Sequence, residues 1–184
     1  GVDFIELRTI DINPFSRIGI DKESVLFLEV FMLFCSINEC ELFDKRMMQD
    51  INNNDLKIAK YGRKPNISLI KDKSTISMKE WAMMILDQLL PIAEQLDANG
   101  SEYSSVISKM KSKVKHQEKT QSAKILDNLL RENISHTELG VVIAEENKKY
   151  FLNSDANSNK SWDDLEAEIE ASIFKQKNMI LTTT

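Results

Sequence analysis

The chain has 184 residues, 42% of them hydrophobic and 29% charged, which is the composition of one ordinary globular domain, with or without a tail. Its formal net charge of -5 gives no electrostatic reason to expect a nucleic-acid partner. No hydrophobic run is long enough to cross a bilayer, and no polybasic cluster marks a membrane anchor. Cys35 and Cys40 have no histidine near them, which predicts reduced thiols in a cytoplasmic protein rather than a zinc site or a disulfide.

The N-terminal segment alternates in the manner of a strand. The chain starts Gly-Val without a methionine and enters this run at once, so we expect a fragment of a longer protein. Over residues 2–10, Glu6 and Arg8 share one face because successive side chains of a strand point to opposite sides. A loop over residues 11–19 follows, in which Pro14 favours an extended Asn13.

The remainder of the chain is predicted to be mainly helical. Asp21 is a suitable N-cap for an apolar helix over residues 22–38, which we expect to be central in the fold. Ser77 and Glu80 form a capping box before a helix over residues 78–97, in which Pro91 predicts a kink or a break. Further helices are predicted over residues 40–50, 55–61, 102–114, 120–133 and 137–153, and from Ser161 onward, with a turn at "NNND" and a short extended segment at 67–70.

Glu6 and Arg8 are the first candidates for chemistry. A carboxylate that lines a cavity suits Mg²⁺, and a guanidinium beside it could hold a phosphoryl group in a bidentate manner. The alternative is an ion pair on a solvent-exposed face, and the spacing alone favours this alternative. Asp11 and Asn13 could order such a site, although both are common turn residues. Arg63 could meet a nucleotide phosphate, although a basic residue here more often complements the end of a helix.

Several stretches resemble one known family. "IELRTIDINPFSRIGID" and the apolar helix "VLFLEVFMLFC" resemble the proteobacterial type of glutamate–cysteine ligase. "NNDLKIAKYGRKPNISL", "LDQLLPIAEQLDANGSEY" and "TQSAKILDNLL" match it further along the chain. The resemblance implies an α+β fold: a mainly helical C-terminal portion with one or two strands of a glutamine-synthetase-like antiparallel sheet. The implied organisation is a strand and active-site loop over residues 1–20, a helical layer over 21–153, and a polar linker with an amphipathic helix over 154–184.

The resemblance also implies an activity: the first step of glutathione synthesis. In that step ATP drives ligation of the γ-carboxylate of L-glutamate to L-cysteine through γ-glutamyl phosphate. Glu6 would then bind Mg²⁺ or Mn²⁺ and Arg8 the phosphate, with Arg63 on the nucleotide side and Asp11 and Asn13 shaping the exit of the strand. The N-terminal part of the enzyme is a necessary partner, because one carboxylate cannot hold a set of Mg²⁺ ions. We expect this chain alone to be inactive and the complete enzyme to be a monomer.

A second hypothesis comes from a different class of protein. The chain could be a non-catalytic helical interaction module whose strand completes a partner's sheet, with Glu6 and Arg8 as structural charges.

Overall fold

The computed structural model describes residues 4–7, 10–39, 42–98, 100, 102–153 and 162–181. In chain order the elements are α1 (Lys22–Ile37), α2 (Lys45–Tyr61), β1 (Ser68–Lys71), β2 (Ser74–Ser77), α3 (Met78–Asp97), α4 (Tyr103–Lys115), a short 3₁₀ turn (Gln117–Lys119), α5 (Gln121–Glu132), α6 (His136–Asn153) and α7 (Trp162–Leu181). The prediction of a mainly helical α+β chain with a small antiparallel sheet is confirmed. None of the described helices is long and apolar enough to span a bilayer.

The chain divides into a unit of residues 1–140 and a unit of residues 141–184. The core of the first unit lies where α1, α3 and α4 meet. Leu89 and Ile107 are fully buried there, and Val30 of α1 is almost so. Phe27, Phe31, Ile85, Ile92 and Leu96 pack around this centre, so the apolar residues of α3 that recur at helical spacing face the core.

Helix α1 has the predicted extent but is less central than expected. Val30 is its only buried residue, whereas Met32, Leu33 and Ile37 are each at least 40% exposed. An all-apolar helix becomes central only if other elements cover every side, and α3 and α4 cover one.

A single helix replaces the predicted pair over residues 40–61. Helix α2 runs unbroken through "NNND", so the predicted turn there is wrong. Asn54 is buried and bonds to β1: its amide nitrogen donates to the Ile70 carbonyl at 2.7 Å, and its oxygen accepts from the Ile70 N–H at 2.9 Å. This tertiary pairing outweighs the weak helix propensity of asparagine. The predicted stop at Gly62 is confirmed, and its N–H bonds to the Ile58 carbonyl at 2.7 Å.

The extended segment predicted at 67–70 is β1. It pairs with β2, a strand that was not predicted from the sequence. In the antiparallel register Ser68 faces Ser77 and Lys71 faces Ser74. The connecting Asp72 and Lys73 have φ of 49° and 64°, as a two-residue type I′ turn requires. β2 ends directly at α3, and the Met78 N–H bonds to the Ile67 carbonyl at 2.8 Å. The Ser77 side chain makes no cap hydrogen bond, so the predicted capping box is wrong although the helix start is right.

The remaining predictions concern Pro91 and the helices that follow it. Helix α3 continues through Pro91, so a break there is excluded. The predicted helices at 102–114, 120–133 and 137–153 are confirmed as α4, α5 and α6 within one or two residues. The predicted cap at Ser161 and most of the polar run before it lie outside the described residues, whereas the last helix is present as α7.

Candidate functional site

The segment that carries Glu6 is not a strand in the described residues. Residues 4–7 and 10–13 have no strand pairing, so the predicted strand over residues 2–10 is wrong within the part that the structure describes. A strand is defined by hydrogen bonds to a neighbour, and the described sheet contains β1 and β2 only. Glu6 is exposed, and Arg8 lies outside the described residues, so their placement on one face stays a prediction.

The loop after this segment is ordered by its own hydrogen bonds. The Asn13 N–H donates to the Gly19 carbonyl at 2.7 Å, which closes the loop at its base. The Asn13 side-chain oxygen accepts from the Phe15 N–H at 3.0 Å, so the turn interpretation of this residue is confirmed. Gly19 has a φ of +79°, a conformation that favours glycine. Asp11 is exposed at the start of the loop.

Asp21 joins this loop to helix α1. One carboxylate oxygen accepts from the Ser24 N–H at 2.7 Å as the predicted N-cap, and the other accepts from the Asn13 amide at 2.7 Å. Burial by itself raises the pKa of Asp21, but the hydrogen bonds from Ser24 and Asn13 outweigh it and hold the pKa below its usual range. The loop exit and the helix start therefore share one ionised carboxylate.

The first turn of α5 contacts two of the predicted site segments. The Gln121 side chain donates to the Ile12 carbonyl at 2.7 Å, which ties the loop to α5. The Arg63 guanidinium reaches the Ser122 carbonyl at 3.5 Å, a weak bond at the upper limit of distance. Thr120 caps this helix by accepting from the Ala123 N–H. Gln121 was not among the predicted residues, although it lies in "TQSAKILDNLL", one of the stretches that carry the resemblance.

The described residues of the first unit line at least two cavities. The larger has a volume of about 840 Å³ and opens between α2 and the hairpin, with Arg46, Asp50, Asn54, Lys71 and Trp81 among its lining. The smaller has a volume of about 330 Å³ and lies between the turn after α2, the start of α3 and the end of α4. Neither cavity is lined by Glu6, Asp11, Asn13 or Arg63. The structure therefore links Arg63 and the loop at Ile12 through the first turn of α5, and not through either of these two cavities.

The described residues do not form a complete cation site. Among them, no group of three or more histidine, cysteine, aspartate or glutamate side chains is close enough to hold a metal ion. Glu6 can contribute one hard oxygen ligand, whereas hard divalent cations take six or more oxygens, with water supplying some of them. A metal site that uses Glu6 needs further carboxylates.

Comparison with known proteins relates the chain to one family. A sequence model described as glutamate–cysteine ligase matches residues 1–58, which include the Glu6 segment, the loop and α1. A glutamate–cysteine ligase of Pseudomonas fluorescens strain Pf-5 is 33% identical over 153 residues, which are 82% of this chain. One from Shewanella oneidensis is 30% identical over 176 residues, or 96% of the chain. The chain belongs to the glutamate–cysteine ligase family.

The chain corresponds to part of the length of these glutamate–cysteine ligases. It spans 29% of the Pseudomonas fluorescens protein and 34% of the Shewanella oneidensis protein. A crystal structure of a glutamate–cysteine ligase from Francisella tularensis in complex with AMP matches with a TM-score of 0.80 at 24% identity. That match covers 94% of this chain and 34% of the crystallised chain, so the chain has the fold of that part of the crystallised ligase.

Proposed function

We propose that this chain is the C-terminal portion of a glutamate–cysteine ligase that uses ATP. The reaction is ligation of the γ-carboxylate of L-glutamate to the amine of L-cysteine. The observation that carries the proposal is the alignment of 153 residues at 33% identity with a protein named for this activity. The matched residues 1–58 contain every predicted site residue except Arg63.

The proposed chemistry proceeds in two steps. A γ-carboxylate oxygen of glutamate attacks the terminal phosphorus of ATP, which forms γ-glutamyl phosphate and releases ADP. The cysteine amine then attacks the acyl carbon, the amide bond forms, and phosphate leaves. Such transfers need positioning and positive charge near the phosphoryl group more than covalent chemistry from the protein.

The residues of this chain take the following roles in the proposal. Arg8 holds the transferred phosphoryl group through its planar fork of donors, and Glu6 supplies one ligand of a Mg²⁺ or Mn²⁺ site. Arg63 is assigned to the nucleotide side. The remaining carboxylates and the amino-acid pockets belong to the N-terminal part of the enzyme.

The loop supports these roles by fixing the exit of the Glu6 segment. Asn13 bonds across the loop to Gly19 and to Asp21 at the start of α1, and Gln121 of α5 donates to the Ile12 carbonyl. These three hydrogen bonds restrict where the residues before Ile12 can go. We therefore assign Asn13 a positioning role, together with Asp11 at the start of the loop.

A segment exchange tests the proposal. The aligned part of the Pseudomonas fluorescens ligase is replaced by this chain, and ADP release is measured with glutamate and cysteine present. We expect the chimera to unfold at a temperature close to that of the Pseudomonas fluorescens ligase and to release ADP. Glu6→Gln and Arg8→Lys should each lower kcat by about a hundredfold or more, since removal of one group that stabilises transition-state charge has effects of this size.

Glu94→Gln is the matched control, because Glu94 is an exposed carboxylate on α3. It should leave kcat unchanged. A folded chimera without turnover would contradict the proposed function, and near-normal turnover in both site variants would contradict the site assignment. Protection by ATP with Mg²⁺ in a thermal unfolding assay provides a second readout, since a ligand that binds only the native state stabilises it. The interaction-module hypothesis predicts neither turnover nor protection.

A further inference from the structure

The smaller cavity has a basic lining in an acidic protein. Lys64, Lys79 and Lys115 line it, against the single carboxylate of Glu118. The whole chain carries a formal net charge of -5, so the positive charge of this lining is opposite in sign to the net charge of the molecule. We call it the lysine cavity.

The three lysines come from three separate parts of the first unit. Lys64 follows α2, and its ammonium nitrogen lies 4.7 Å from the centre of the Tyr61 ring in a cation–π contact. Lys79 lies in the first turn of α3, and Lys115 is the last residue of α4. Buried Ile67 forms part of the wall. Three lysines on the lining of one cavity give it a positive potential, which a bound anion would offset.

The lining selects among anions. A volume of about 330 Å³ lies at the small end of ligand pockets. No aromatic side chain lines the cavity, so it lacks the stacking surface that single-stranded nucleic acids use. Ammonium groups act as point charges that suit phosphate oxygens, whereas a planar carboxylate is better matched by arginine. Three cations favour a ligand with two or more negative charges.

We propose that the lysine cavity binds the diphosphate or triphosphate group of a small molecule. The group can belong to free pyrophosphate or to a nucleotide. The inference is independent of the proposed function, because it rests on residues 64–118 and needs neither glutamate nor cysteine.

Calorimetric titration of the 184-residue chain with pyrophosphate at low ionic strength tests the proposal. We expect saturable binding that weakens as salt is added, since exposed charges are screened. Lys79→Gln and Lys115→Gln should each weaken binding about tenfold to a hundredfold, the usual effect of losing one charged hydrogen bond. Glu118→Gln should tighten binding, because it removes the carboxylate that opposes the anion. Absence of saturable binding would overturn the proposal.

Controls separate this site from general charge attraction. Lys124→Gln removes an exposed lysine of α5 that does not line the cavity, so it should leave the affinity unchanged. Equal weakening by Lys124→Gln and Lys79→Gln would overturn the site. Titration with ADP and with adenosine identifies the source of the group. ADP that binds more than about tenfold tighter than pyrophosphate indicates a nucleotide, equal affinities indicate a free polyphosphate, and adenosine that binds as well as ADP contradicts the proposal.

Discussion

The side chain of Asn54 on α2 makes two hydrogen bonds with the backbone of Ile70 on β1, at 2.7 and 2.9 Å. β1 is an edge strand of a two-stranded sheet, so one of its sides has no neighbouring strand. The Asn54 amide provides the hydrogen-bond partners that such a strand would supply on that side. Lys57, one turn further along α2, donates to the Ser68 carbonyl at 2.6 Å. Helix α2 therefore covers the free edge of the hairpin that leads into α3.

Asn54→Ala should destabilise the chain by about 2–3 kcal/mol, because both backbone groups of Ile70 lose their partner. Chemical denaturation followed by circular dichroism measures this. Asn53→Ala is the matched control: Asn53 is exposed on the same helix, and its replacement should change the free energy of unfolding by less than about 0.5 kcal/mol. Equal effects of the two substitutions would show that the pairing with Ile70 contributes nothing.

Asp21→Ala should lower the free energy of unfolding by about 1–2 kcal/mol, since it removes the N-cap of α1 and the partner of Asn13. A double-mutant cycle with Asn13→Ala should give a coupling of about 0.5–1 kcal/mol, because the two side chains bond directly. Asp44→Ala provides the comparison, since Asp44 caps α2 by accepting from the Met47 N–H. Additive effects of Asp21→Ala and Asn13→Ala would exclude a shared role in anchoring the loop.

Lys73→Gly should stabilise the hairpin by about 0.5 kcal/mol, because a left-handed conformation is unfavourable for lysine and open to glycine. Lys73 has a φ of 64° in the turn between β1 and β2. Lys71→Gly is the control with the opposite sign, since Lys71 lies within β1, where glycine weakens a strand. Thermal unfolding of the two variants measures both effects. Destabilisation by Lys73→Gly would contradict the assigned turn.

Lowering the pH should destabilise the start of α4, because it protonates the Asp97 carboxylate. Hydrogen bonds from the Ser104 hydroxyl, and then from the Ser104 and Tyr103 amides, hold the pKa of Asp97 below its usual range, against a smaller effect of burial. Because the folded pKa lies below the unfolded one, the stabilisation is complete above the unfolded value and is lost as pH falls through the folded value. Asp97→Asn should therefore reduce the loss of unfolding free energy between about pH 6 and pH 3.

Ser104→Ala tests the same link from the other side. It removes the largest cause of the lowered pKa, so it should reproduce part of the effect of Asp97→Asn. Measurement of the unfolding free energies of both variants across this pH range tests whether each substitution reduces the pH dependence of stability. An unchanged pH dependence in Asp97→Asn would contradict the assigned role of Asp97.

Local signals in the sequence were sufficient for most of the helices. The cap at Asp21, the stop at Gly62 and the apolar stripe around Leu89 depend on neighbours within a few residues, so the pattern predicts them without the fold. The stretches "IELRTIDINPFSRIGID" and "VLFLEVFMLFC", with the weaker matches further along the chain, were likewise sufficient to predict the family. The turn interpretation of Asn13 also followed from local chemistry.

The tertiary structure alone decided the remaining features. "NNND" is helical because Asn54 meets a strand 16 residues away, and Ser77 makes no cap bond because it ends β2. The contact of Gln121 with Ile12 joins residues 109 positions apart, which no local pattern encodes. Residues 4–7 alternate as a strand would but form none, because a strand forms only against a neighbour that supplies its hydrogen-bond partners.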